Sequence, residues 1–114
     1  MRLSMSNKDK LSLSGLLEAI EKIEVYTTSI NDAEELFKNE MHFDAVLMNF
    51  IIIGEMVERL SESFKSEHGA IDWTRIKAFR NIVAHDYFGV DAEEVWQIIK
   101  NHIPKLKHDI KSLL

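Results

Sequence analysis

Ala45-Val46-Leu47-Met48-Asn49-Phe50-Ile51-Ile52-Ile53 is the stretch that most limits how this chain can fold. It sits in a longer segment, Met41 to Lys65, whose residues suit a helix, and it is apolar nearly all the way round. A helix with no polar face has to be covered on every side, at the centre of a bundle, at a subunit interface, or both. Asn49 and Glu55 interrupt the run, which is in any case too short to span a bilayer. Gly54 within the helix costs about 1 kcal/mol relative to alanine, so another backbone is expected to pack closely there.

The rest of the chain supplies partners of the same kind. Four glycines and one proline in 114 residues favour helices over turn-rich sheet. A first helix is predicted from Ser12 or Ser14 to Ile30, with Leu13, Leu16, Leu17, Ile20, Ile23 and Tyr26 on one side. Asn31-Asp32 breaks and caps, and Ala33 to Asn39 reads as a short second helix. After His68-Gly69, Asp72 caps a helix from Trp73 to Tyr87 or Phe88, ended by Gly89. Asp91, followed by Glu94, starts a final helix that Pro104 should kink or split, with apolar positions continuing to Leu114. The expected architecture is all-α, a single domain over residues 1–114, with four to six helices and a flexible segment at 1–10.

Composition narrows the function. No cysteine is present, which removes disulfides and thiolate metal sites. The first ten residues hold no apolar core of the kind a signal peptide needs, so a cytoplasmic protein without a membrane span is expected. A net charge of −5 argues against a general nucleic-acid binder, so any RNA contact has to be local. From Asp72 to Phe88 the balance reverses, with Arg75, Lys77 and Arg80 against Asp72 and Asp86.

That segment also carries the chemistry. On a helical wheel Ile76, Phe79 and Val83 form the buried face, Arg80 and Tyr87 share a stripe at its edge, and Asn81 and His85 share another. Arg80 and His85 stand roughly 140° apart and about 7.5 Å apart along the axis, with Ala84 leaving a notch between them. Neutral imidazole can take a proton from a ribose 2′-hydroxyl near operating pH. Guanidinium forks onto phosphate oxygens where transition-state charge gathers. Asn81, one turn before His85, could orient the ring, and no metal or cofactor is indicated. The reaction this suits is transesterification to a 2′,3′-cyclic phosphate and a 5′-hydroxyl. Taken alone, an arginine five residues before a histidine fits a surface ion pair and a structural histidine at least as well.

Arg80-Asn81 through His85-Asp86-Tyr87 resembles the R-x4-H-x-Y motif of HepT-type toxins in the HEPN superfamily. Ile53-Gly54-Glu55, Ile71-Asp72-Trp73, Tyr87-Phe88-Gly89-Val90-Asp91, Val95-Trp96 and Ile103-Pro104 resemble family signatures in the same order, over residues 10 to 114. His68-Gly69-Ala70 departs from the pattern where a proline is expected. The resemblance implies a metal-independent endoribonuclease, the toxin of a type II toxin–antitoxin pair, with Arg80 and His85 catalytic and Asn81 supporting. It implies a HEPN-like homodimer whose motif helices face each other across a cleft, and RNA as substrate. It also implies a partner antitoxin, a minimal nucleotidyltransferase of the MntA type, that transfers AMP to Tyr87. The competing reading is a non-catalytic module that binds nucleotides or serves a nucleotidyltransferase partner, which the acidic total charge fits well. Elsewhere, Glu55 reads as a capping or interface group, and Met41, Met48 and Met56 as core fillers. Trp73 and Trp96 read as packing anchors, and His42, His68, His102 and His108 as solvated.

Overall fold

Short polar side chains start almost every helix of this protein, and the order of those caps sets the order of the fold. In the computed structural model, which describes residues 5–84 and 89–114, Ser6 caps α1 (Asn7–Thr27) and Asp32 caps α2 (Ala33–Lys38). Asn39 caps α3 (Glu40–Arg59), and Ser61 caps α4 (Glu62–Glu67). Asp72 accepts the Arg75 N–H at 3.0 Å at the start of α5 (Trp73–Ala84). Asp91 caps α6 (Ala92–Asn101), and α7 (Ile103–Leu113) follows with Pro104 in its first turn, where a missing N–H costs nothing. The described residues are all-α. None of their helices is long and apolar enough to cross a membrane.

Helix α3 lies between α1 and α5, while α7 packs on α1 and α6, and α2 on α3 and α6. Leu13, Leu16, Ile20 and Ile23 of α1 meet Val46, Phe50, Ile53 and Val57 of α3. On the other side Ile76, Phe79 and Val83 of α5 close the core, with the Phe50 and Phe79 rings 5.7 Å apart. Trp73 and Trp96 are buried as packing anchors, and the Trp73 indole N–H donates to the His68 carbonyl at 3.1 Å.

Several expectations need correction. Seven helices are present among the described residues rather than four to six. The predicted helix Met41 to Lys65 breaks at Leu60, which is extended, because Ser61 leaves the helix to serve a buried carboxylate. That carboxylate is Asp9. It accepts the Ser61 N–H at 2.8 Å and the Ser61 hydroxyl at 2.7 Å, while Ser61 Oγ accepts the Phe64 N–H to cap α4. Burial pushes the Asp9 carboxyl up, but the hydrogen bonds from Ser61 and Ser6 outweigh it and hold the group below its ordinary value. The same staple makes the chain helical from Asn7, well before Ser12, so the expected flexible segment 1–10 is helical from its seventh residue onward. Residues 1–4 lie outside the described part. Pro104 accompanies a full split at His102, as one of the two expected outcomes.

The apolar run on α3 is not covered on every side within one chain. Val46, Phe50 and Ile53 are fully buried, but Met48 is 56% exposed and Met41 83% exposed. Neither methionine is a core filler. Together with the half-buried Ala45 and Ile52 they form a stripe that α1, α2 and α5 leave open.

Candidate active site on helix α5

The buried stripe of α5 fixes how the helix is turned, and this places Arg80 on the rim facing α3. Arg80 Nη1 donates to Glu55 Oε1 at 2.8 Å, with the two side chains 27% and 44% exposed. One turn earlier, Lys77 Nζ stands 2.5 Å from Glu58 Oε2. Lys77 donates to Glu58 and its charge favours the anion, so the Glu58 carboxyl sits below its ordinary value. Two cations of α5 therefore face two carboxylates of α3, each pair one turn from the next.

Gly54 makes this seam possible. A Cβ at Gly54 would collide with Cβ of Arg80 and stand 3.2 Å from the Lys77 carbonyl oxygen. The expected close approach of a second backbone is thus that of α5, at the residue whose side chain is the candidate phosphate ligand. Glu55, read from the sequence as a capping or interface hydrogen-bond group, is the hydrogen-bond partner that holds Arg80 across the contact of α3 with α5. Its adjacency to Gly54 was the available signal, since a contact glycine marks where another helix arrives.

Arg80 is the candidate catalytic residue that the structure positions. Asn81 is exposed beside it on α5. His85 and Tyr87, with Asp86 and Phe88, lie outside the described residues, as does the side chain of Ala84. Among the described residues no group of three or more His, Asp or Glu side chains is arranged to hold a metal ion. Three of the histidines expected to be solvated have partners. His102 Nε2 stands 2.9 Å from Arg75 Nη2, and burial together with the arginine charge holds its pKa below the ordinary value. His42 Nδ1 pairs with Asn39 Oδ1 at 2.7 Å, and His68 packs on the Phe64 ring. His108 is exposed, as expected.

The sequence model of the family described as "Ribonuclease HepT-like" matches residues 16–113, which includes α5 and both helices that flank its seam. The chain belongs to the HepT-like ribonuclease family. Among its HepT-like relatives is a protein of Methanocaldococcus jannaschii named "Gamma-glutamylcyclotransferase and putative RNase MJ0434", 35% identical over 92% of this chain and 47% of its own length. The chain thus spans about half of that relative. A second protein of the same organism, "Putative RNase MJ1380", is 32% identical over 94% of this chain and 98% of its own. A third, "Probable ribonuclease HepT" of Thermococcus cleftensis, is 35% identical over 96% of this chain and 98% of its own. No solved structure matches the chain significantly. The HepT-like match covers the segment that carries Arg80, Asn81, His85 and Tyr87.

Proposed function

We propose that this chain is a metal-independent endoribonuclease, the toxin of a toxin–antitoxin pair, and that Arg80 and His85 carry out the cleavage. The observation that supports it most is the fixing of Arg80 by Glu55 at the lip of the α3–α5 seam, on the helix that leads directly to His85. The close approach at Gly54 sets where the α5 backbone lies, and the Glu55 carboxylate holds the guanidinium at that edge. The family membership and the names of the relatives point to RNA as the substrate.

In this reading the neutral His85 imidazole removes the proton of a ribose 2′-hydroxyl. The 2′-oxygen attacks the adjacent phosphorus, the bond from phosphorus to the 5′-oxygen breaks, and the departing oxygen takes a proton from water, to which the imidazolium returns its own. A 2′,3′-cyclic phosphate and a 5′-hydroxyl result. The guanidinium of Arg80 shares one donor with Glu55 and keeps its others for the phosphoryl oxygens, which gain charge in the transition state. Asn81, next in sequence, supports the imidazole. Two chains pair through the open apolar stripe of α3, placing the motif helices across a shared cleft. A nucleotidyltransferase of the MntA type silences the enzyme in the cytoplasm by adding AMP to Tyr87, bringing an anion into the place of the substrate phosphate.

The test is cleavage of an end-labelled RNA by the wild type, Arg80→Ala and His85→Ala, with the product ends identified. Both variants are expected to stay folded and to lose at least a hundredfold in rate, the range that general base and electrostatic groups supply. Cleavage that survives His85→Ala overturns the assignment of the base. A folded wild type that neither cuts RNA nor generates cyclic phosphate ends overturns the enzyme reading and favours a nucleotide-binding module.

A further inference from the structure

Beside Arg80, one turn back along α5, a hollow of about 360 Å³ opens between the end of α3, α4 and the start of α5. Lys65, Ser66, Trp73, Thr74 and Lys77 line it, with Glu62 at its edge. It adjoins the candidate active site, because the Lys77 carbonyl and Cβ of Arg80 both lie against Gly54. Lys65 of α4 and Lys77 and Arg80 of α5 therefore border one stretch of surface, drawn from two consecutive helices.

Each lysine is paired with a carboxylate more exposed than itself. Lys65 is only 16% exposed, so its stem is packed in place, yet its partner Glu62 at 3.1 Å is 91% exposed. The Lys77 partner, Glu58, is half exposed. Exposed ion pairs contribute at most about 1 kcal/mol and weaken further in salt, so a phosphate can replace either carboxylate. Trp73 forms an apolar floor that is already committed, since its N–H is bonded to His68 and its ring rests on Phe64. The hydroxyls of Ser66 and Thr74 add donors at the rim. A volume in the range of small-ligand pockets, which begins at about 300 Å³, suits a single sugar–phosphate unit better than a folded duplex.

We propose that this hollow is a substrate subsite, in which Lys65 and Lys77 bind backbone phosphates of a single RNA strand next to the phosphate held by Arg80. The proposal rests on the ribonuclease reading. Contacts of this kind position a strand without reading its sequence, and they depend on salt. A lone mononucleotide would use one such cation. A row of cations continuing into Arg80 calls for a ligand whose charges recur, which is a strand.

The probe is a short fluorescein-labelled oligoribonucleotide with 2′-O-methyl sugars, which has no free 2′-hydroxyl and is not cut. Its binding is followed by anisotropy at several salt concentrations. The Lys65→Gln/Lys77→Gln double variant keeps the first two methylenes of each stem, and the Lys105→Gln/Lys111→Gln double variant removes two charges from α7, away from the hollow. The first is expected to bind about tenfold more weakly than the wild type near 0.1 M salt. Its log–log salt slope should be shallower by about 1.4, at about 0.7 per lost phosphate contact. The second should match the wild type. Thermal denaturation confirms that each is folded, and Lys77→Gln alone, expected to show half the change in slope, replaces the double variant if it is not. Equal binding by the wild type and the lysine variants overturns the subsite and leaves the lysines to an acidic segment of a partner protein. An equal loss in both double variants also overturns it, because the effect would be one of total charge. Failure of the wild type itself to bind the strand overturns the ribonuclease reading rather than this detail of it.

Discussion

Replacing Gly54 with alanine tests the link between the packing of α3 on α5 and the placement of Arg80. Two effects oppose each other. Alanine in mid-helix is favoured over glycine by about 1 kcal/mol. Against this, the new Cβ collides with Cβ of Arg80 and presses on the Lys77 carbonyl, and both are close to the backbone and unable to swing aside. The two helices must move apart, and overpacking of that kind costs up to about 3 kcal/mol. The balance is a loss of about 2 kcal/mol. At about 2.1 cal/mol/K per residue of unfolding entropy, a chain of 114 residues should lose about 8 °C in Tm. The ion pair of Arg80 with Glu55 spans the same seam, so RNA cleavage measured well below the new Tm should fall as well. Calorimetry and a cleavage assay on the same sample read both effects. A Tm equal to or above that of the wild type would refute the reasoning, because helix propensity would then have won and the close approach would be dispensable.

Two further outcomes follow from named groups. Asp9→Asn removes the charge from the staple between α1 and α4, where Ser61 donates twice, and is expected to cost about 1.5–3 kcal/mol at neutral pH by chemical denaturation. Because the folded state holds the Asp9 carboxyl below its ordinary value of 3.8, the contribution is complete above that pH and is lost as the pH falls through the folded value. The gap between wild type and variant should therefore close below about pH 4, and a gap that stays constant down to pH 2.5 would contradict the account. For Tyr87, intact mass spectrometry after co-expression with a minimal nucleotidyltransferase is expected to show an AMP increment on the wild type and none on Tyr87→Phe. The same increment on both places the modification elsewhere.

Periodicity revealed what α1 and α5 bury. Leu13, Leu16, Ile20 and Ile23 on α1, and Ile76, Phe79 and Val83 on α5, were readable as single faces and are buried. Asp32, Asp72 and Asp91 were readable as caps because a cap needs only its own next turn. What escaped depends on residues far apart in the chain. Ser6 looks no better as a cap than Ser12 or Ser14 until Asp9 is seen to be completed by Ser61, 52 residues away. The same distant pairing ends α3 at Arg59, where local preference alone would carry the helix onward. The run at Ala45 to Ile53 stated how much apolar surface needs cover and could not state that one chain leaves Met41 and Met48 open. Likewise a wheel drawn for α5 sets Arg80 at the edge of the buried face, and only the neighbouring helix shows that Glu55, 25 residues earlier, waits there.

The acidic total charge and the proposed handling of RNA are reconciled along the α3–α5 seam. A net charge of −5 gives the body no general attraction for nucleic acid. Near the motif, however, three cations are matched with carboxylates from a neighbouring turn or helix: Lys65 with Glu62, Lys77 with Glu58, and Arg80 with Glu55. Each pair restrains a long side chain, which lowers the rotamer entropy that a ligand would otherwise have to overcome. The pairs also cancel the charge seen from a distance. A single phosphate gains little by displacing one carboxylate, whereas a strand that meets all three cations gains three charge-assisted contacts for one loss of translational freedom. Discrimination in favour of an extended polyanion over small phosphates then follows from the number of contacts made at once.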